Sequence, residues 1–482
     1  MSLFWNFFKK KDPLDILYNS LKSKNSGYRA AMNLNSFDLG PKSYDLILQA
    51  LSDSNRHRKI NAASWGIRGY YSDVRAIPPL LSLLNDKDSE IVCAAVDGIG
   101  ELIYILHKKG EGSTASHENK ATIIDDLIEP LITAYNKNND KVRENVIRIL
   151  ADIGGKQVEA FIFGALRETK QEVVVRAIKA LGDLKVSDAV VPLIELYRNG
   201  NDEVRASVIK TLSNIGGEKA VDCIIGALSD PFEEVISSAA EGLGKLKVNK
   251  AVGALITLLE HYYITDTSVS ADQAQLKMQE MKQLGIPENS FVASAFSDII
   301  SVKFEFSVIS KTIEALGELS DKQAIETIAK FLCLNNRTYR FKAARALIKL
   351  GDSRGLDGLA KELDELDQSD ENSIDFDRCS LVSELAKSDD PRVPDILLAA
   401  FAKITPGGDS VNIMDSDVWL AATLIAALGK HGDRRAIEFI NKWSEKELES
   451  LFINEDTVKT LKDFGVVPKE KKVLVGRGKV EC

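Results

Sequence analysis

Histidines, cysteines and paired carboxylates are the side chains that would carry catalysis or hold a metal, and this 482-residue chain spreads them thinly. The five histidines are His57, His107, His117, His261 and His431, and no HExxH places two imidazoles on one helix face. Only His117-Glu118 sets an imidazole next to a carboxylate, inside a polar insertion. Gly110, Gly112 and Ala115 spell GxGxxA, but a dinucleotide site needs a strand before the glycines and a helix opening on them. Here a helical pattern precedes and polar residues follow, which reads as a loop. Asp409, Asp415 and Asp417 surround Pro406-Gly407-Gly408 without the spacing of a calcium-binding loop. Acidic pairs such as Asp125-Asp126 and Glu233-Glu234 are what any helical surface produces. No nucleophile elbow and no phosphate loop occurs. No catalytic residue, cofactor or metal is therefore expected.

The composition points to a helical framework. Apolar residues make up 44% and charged residues 28%, and only 12 prolines interrupt the chain, roughly half the usual share. A net charge of −9 argues against a nucleic-acid binder, which needs a clustered cationic surplus. The five cysteines lie far apart and form no CxxC pair, which fits a reducing cytoplasm. No apolar run reaches the roughly 18 residues of a membrane span. At the N-terminus, Leu3, Phe4, Trp5, Phe7 and Phe8 precede Lys9, Lys10 and Lys11. This order is the reverse of a secretory signal. It reads first as an apolar start docked on the first repeat, and second as a weak, peripheral foothold on an anionic membrane surface.

One period organises the chain. Val142, Val173, Val204 and Val235 stand 31 residues apart, as do Leu150, Leu181, Leu212 and Leu243. Within each unit the apolar positions fall at i, i+4, i+8 and i+11, one stripe of a helix. A second stripe follows a short turn: Val158, Ala189, Ala220 and Ala251, then Ile162, Leu193, Ile224 and Leu255. Gly154-Gly155 and Gly216-Gly217 separate the stripes, and Lys185-Val186 and Lys247-Val248 replace them in alternate units. Each unit is a helical hairpin with two apolar stripes that only stacked neighbours can bury. The expected fold is an all-α α-solenoid, a superhelix of about ten antiparallel helical hairpins. Ile60, Ala76 and Leu80 fit an early unit, although Arg68 falls on a core position there.

The units resemble HEAT repeats, and more closely the short HEAT-like class of phycobilisome lyases. The likeness rests on Asp140-Lys141-Val142-Arg143 with Val146 and Leu150, repeated at Asp202-Glu203-Val204-Arg205 with Val208 and Leu212. It covers most of 28–260 and 305–360, and less closely 376–443. It implies the fold strongly, while the family's functions range over bilin lyases, deoxyhypusine hydroxylase, a DNA glycosylase group and pure scaffolds. The hydroxylase depends on several His-Glu pairs, and one is present here. The family's Arg ladder is partial: Arg143, Arg205 and Arg340 hold its position, and Val174 and Ile236 do not. Such an Arg is expected to pair with an acid or a helix carbonyl in a neighbouring unit.

The expected layout follows from the frame and its breaks. An apolar and basic segment spans 1–27. Repeats span 28–260, with an insertion at 103–122. A second insertion at 261–304 carries a short amphipathic helix, and repeats resume over 305–363. An acidic loop fills 364–377, degenerate repeats span 378–465, and a basic flexible tail ends the chain at 466–482. The leading functional expectation is a non-enzymatic scaffold that binds a protein partner along the concave face lined by second helices. Its candidate contacts are Glu159, Glu195, Arg198 and Asp222. Met278, Met281, Phe291 and Phe296 of the insertion are the second candidate group, because Met and aromatic side chains suit adaptable partner surfaces; equally, that segment patches the broken frame. The alternative reading is a bilin lyase or chromophore chaperone, and it rests on the family likeness alone. A DNA-repair role is a third reading, disfavoured by the acidic balance.

Overall fold

The computed structural model describes Leu21, 41–66, 74–108, 117–263, 302–334, 336–365, 375–404, 416–442, 455–466, 473–475 and 478–480. These residues fold as an all-α solenoid of antiparallel helical hairpins, in two compact units, Met1–Ile224 and Ile225–Cys482. Each hairpin pairs a first helix (A) with a second (B), and successive A helices lie side by side. In the first unit the A helices include Ser89–Lys108, Asp140–Ile153, Gln171–Asp183 and Asp202–Ile215. The B helices include Ile128–Lys137, Lys156–Ala165, Val190–Asn199 and Glu218–Gly226, the last of which crosses the boundary between units.

The apolar stripes bury as their spacing requires. Val142, Val146 and Leu150 are fully buried, and so are Val173, Ala177 and Leu181, and Val208 and Leu212. On the B helices Val158, Ala189 and Ala220 are fully buried, as are Ile162, Leu193 and Ile224. The i+11 position is shallower: Ile153, Leu184 and Ile215 are only half-buried, because the helix is ending there and its last turn lifts off the core.

The true period is double. The A helices at 140 and 202 start on Asn139 and Asn201, whose side chains accept the N–H of Val142 and Val204, each at 3.1 Å. They end on Gly154 and Gly216, with φ 74 and 77 and ψ near 180°, a region open to glycine alone. Between them, the helix Gln171–Asp183 has no side-chain cap and ends in a six-to-one turn, Val186 N–H to Leu181 O at 3.1 Å. Lys185 takes the left-handed position of that turn at φ 52. Gly216→Ala is expected to cost about 1–3 kcal/mol through backbone strain, read by thermal unfolding.

The second unit repeats the design around a sequence break. Helix Glu233–Lys245 packs directly on Val302–Leu319, although 264–301 separates them in sequence. A Cβ on Gly244 would lie 2.7 Å from Ala315 Cα, and one on Gly317 would lie 3.0 Å from Ala346 Cα. Only glycine allows this approach. Helix 252–263 meets the next B segment through Tyr263 and Phe331, ring centres 5.4 Å apart. The C-terminal hairpins, centred on Leu385, Leu397 and Leu428, share one core cluster.

The degenerate repeats carry a link that the sequence reading did not identify. In the turns before three B helices, Asp352, Asp390 and Asp433 each accept the N–H and the guanidinium of the arginine two residues on. Those arginines also reach the preceding hairpin: Arg354 to Glu326, Arg392 to Asp357 and Arg435 to Asp395, each at 2.8 Å. The arginine side-chain hydrogen bonds hold Asp352, Asp390 and Asp433 below the ordinary carboxylate value. A depressed folded pKa gives stability that is complete above 3.8 and is lost as pH falls through the folded values. Melting of the second unit is therefore expected to fall below pH 3.8 and to be insensitive to these groups from pH 5 to 8, as roughly estimated from their ordinary range.

Some boundaries differ from expectation. Ile60 is only half-buried, because the helix Arg56–Asn61 runs into a π-helical turn, Ala62–Gly66, that hands the core position to Ala62 and Ala63. Part of the 103–122 insertion is helical, in the end of Ser89–Lys108 and the start of His117–Asp125. The acidic stretch starts inside helix Ser353–Glu365. Within the tail expected to be flexible, Val473–Val475 pairs antiparallel with Gly478–Val480, a β-branched run favouring extended backbone.

Candidate protein-binding face

The face is built from the solvent side of three B helices in the first unit. Fully buried Val158, Leu193 and Ile224 fix the rotation of these helices, so residues on the opposite side must look outward. Glu159 lies on Lys156–Ala165, Glu195 and Arg198 on Val190–Asn199, and Asp222 on Glu218–Gly226. Glu195, Arg198 and Asp222 are exposed, and Glu159 is half-buried with Lys156 at 3.8 Å. The four charged positions thus fall on three neighbouring helices.

The same helices carry a recurring apolar position. Phe161, Pro192 and Cys223 occupy the same place in three successive repeats, each half-buried. Phe161 stands edge-on to Tyr135, ring centres 4.9 Å apart. Val191 is 49% exposed, one of the most exposed large apolar side chains described. Burial pushes the Cys223 thiol up, and the Arg198 charge opposes this only in part, so the sulfur stays protonated and acts as a small apolar surface. Half-buried or exposed apolar side chains and charged ones therefore lie on the same three helices.

Met278, Met281, Phe291 and Phe296 lie outside the described residues, as do the N-terminal aromatics, Gly110–Ala115, Asp409 and Asp415. Among the described residues, no three of His, Cys, Asp and Glu converge to hold a metal. No described helix is long and apolar enough to cross a membrane.

The arginine ladder is structural. Arg143, Arg205 and Arg340 each sit four residues after an Asn cap and donate to the carbonyl where the preceding B segment ends. The acceptors are Tyr135 O at 3.4 Å, Gly200 O at 3.4 Å and Leu334 O at 3.1 Å. The acid is in the same hairpin rather than the next: Arg143 faces Glu168 at 3.5 Å, and Arg340 bonds Glu362. Glu362, counted in sequence with a solvated acidic run, is 2% exposed.

A-helix surfaces carry grooves that the sequence reading missed. In the first unit Asp97, Glu101, Tyr104, Arg148 and Asp152 line one of about 230 Å³. Arg148 holds Asp97 at 2.8 Å, while burial pushes the Asp152 carboxyl up. The repeat frame of Arg148 on Asp97 spans 51 residues, because the insertion lengthens the hairpin, and this hid the pairing.

Family profiles described as HEAT repeats match 128–205 and 190–269, and one described as HEAT repeat matches 76–106. No curated protein matches the chain. Among solved structures, yeast importin-beta (Kap95p) is 12% identical, covers 89% of this chain and 63% of its own, and has a TM-score of 0.50. The Kap95:Nup1 complex is 13% identical over 88% of this chain and 62% of that one, also with a TM-score of 0.50. The CpcE and CpcF complex of phycocyanin lyase from Nostoc sp. is 18% identical over 65% of this chain and 96% of that one, with a TM-score of 0.31. The repeating hairpin, its capped A helices and the matched profiles agree: this chain carries HEAT repeats over 76–106 and 128–269.

Proposed function

We propose that the chain is a non-enzymatic cytoplasmic scaffold that binds a protein partner on the B-helix face of its first unit. The observation that carries this reading is the set of Phe161, Val191, Pro192 and Cys223 on the same helices as Glu159, Glu195, Arg198 and Asp222. Three helices pinned by a fully buried core present it without reorganisation, which lowers the entropic cost of association. The Kap95:Nup1 complex pairs a protein of this fold with another protein, which supports the reading at the level of fold. The cytoplasmic assignment rests on the sparse, unpaired cysteines.

Val191→Glu places a charge among these apolar residues at an exposed site, so the fold is expected to stay within about 0.5 kcal/mol of wild type. Partner affinity is expected to fall about tenfold or more. Photo-crosslinking from position 191, with Lys141 on an A helix as control, reads it directly. Equal yields from both positions would count against this face. A coloured covalent adduct after co-expression with a phycobiliprotein and bilin would replace the scaffold reading with the lyase one.

A further inference from the structure

We infer that the A-helix face of the second unit is an independent docking groove for an acidic polypeptide segment. The groove, about 400 Å³, lies over the ends of helices Glu233–Lys245, Val302–Leu319 and Arg337–Lys349. Its floor is Gly244, Ala315 and Ala346, the small residues through which these helices approach each other. Its walls carry Lys245, Lys247, Lys311, Lys342, Arg345 and Lys349 against three carboxylates. This cationic excess sits in a chain whose net charge is −9.

The arrangement is ordered rather than diffuse. Lys311 pairs with Glu241 at 3.0 Å, Lys342 pairs with Glu314, and Lys349 pairs with Glu318, each across adjacent helices. Lys342, Arg345 and Lys349 fall at i, i+3 and i+7, on one face of their helix. Arg345 also borders a second groove of about 370 Å³ with Phe341, Cys379 and Glu384, so the surface continues along the stack. Its guanidinium lies 5.7 Å from the Phe341 ring centre, and its Nε sits 3.1 Å from Glu384 without the alignment of a hydrogen bond.

Lys247 adds a separate observation. It lines the groove from a left-handed backbone position, φ 53, where glycine stands in the equivalent turns at Gly351 and Gly432. A lysine there is strained, and Lys185 is the other lysine held so. At position 247 the side chain adds its charge to the groove.

The interleaved carboxylates select the class of ligand. A DNA backbone offers phosphates and no donor of its own, so Glu241, Glu314 and Glu318 would repel it. A polypeptide offers both acidic side chains for the cations and backbone N–H groups for the carboxylates. The small floor leaves room for a main chain to lie between the walls.

The test is fluorescence anisotropy on the full chain with a labelled peptide of alternating Glu and Ser. Its Lys and Ser counterpart and a single-stranded oligonucleotide serve as comparisons. The acidic peptide is expected to bind saturably and to weaken as salt rises. The double variant K247G and K349Q is expected to bind about tenfold more weakly, while K141Q with K179Q, an equal charge change at two exposed lysines on A helices of the other unit, leaves affinity unchanged. Glycine fits the backbone at 247 without strain, so this variant is expected to melt no lower than wild type apart from the small loss of the Lys349 pair. The proposal is overturned by absent saturable binding at low salt, by equal weakening in the K141Q and K179Q control, or by tighter binding of the oligonucleotide. Because the probe and the variants leave the B-helix face untouched, failure here does not bear on the proposed scaffold face.

Discussion

Leu212→Ala is expected to destabilise the first unit by about 2–5 kcal/mol, the cost of a fully buried large-to-small change. Leu212 has no exposed surface and belongs to the stripe of Val204 and Val208 on helix Asp202–Ile215. On the neighbouring helix Leu181 occupies the same frame position, and Thr211 donates to Ile178 O at 3.2 Å across the same interface. A cavity here therefore removes contacts from two hairpins at once, and the surrounding helices are held too firmly by their caps and turns to collapse into it. In a repeat array each unit depends on its neighbours, so the loss is expected to spread as lowered cooperativity as well as a lowered midpoint. Urea unfolding followed by the helical circular-dichroism signal reads both. An unchanged midpoint would mean that the register of the repeat is misassigned.

Glu362→Gln is expected to destabilise the second unit by about 2–4 kcal/mol. The carboxylate is nearly inaccessible, and it accepts from Arg337 Nε at 3.2 Å and from Arg340. Removing its charge leaves the Arg340 guanidinium, 17% exposed, facing a neutral amide where it had a carboxylate, while it still donates to the Leu334 carbonyl. Breaking one side of a buried ion pair typically costs about 3–5 kcal/mol, and the estimate is lowered here because Arg337 is 39% exposed and partly solvated. A double-mutant cycle with Arg340→Met isolates the pair. The second change is expected to cost much less in the Glu362→Gln background than alone; strictly additive losses would show that the two groups do not act together.

Much of the framework was legible because a helix stripe leaves a direct trace in sequence. Leu150, Leu181, Leu212 and Leu243 repeat at one spacing and are all fully buried. The glycine pairs marked turns, and the structure gives the reason, a backbone region closed to other residues. What stayed hidden depends on context that spacing alone does not carry. Glu362 reads as one acid among many until its helix is seen to turn it inward onto two arginines. The register near Ile60 shifts by a π-helical turn that leaves no clear compositional mark. The Asp-x-Arg turns recur at irregular intervals, since the C-terminal hairpins differ in length. The basic groove joins helices on both sides of 264–301, so Lys245 and Lys311 are distant in sequence and close in the fold. Yet part of it was visible in hindsight: Lys311 and Lys342 are one 31-residue period apart, as are Glu318 and Lys349.

For the candidate face, residue positions were legible and the surface they share was less so. Glu159, Glu195, Arg198 and Asp222 fall on three adjacent B helices, as the period requires. The recurring apolar position on these helices was not picked out, because Phe161, Pro192 and Cys223 share a frame position with different side chains. Only their common half-burial, together with the exposure of Val191, joins them into one surface.

The most direct measurement of the central claim is paired affinity capture from the native host with wild-type protein and Val191→Glu, after matching their melting curves. The account predicts a bound protein that wild type retains, that the variant loses, and that crosslinks to position 191. Identical captured proteins at identical yield from both, with both chains folded, would contradict it.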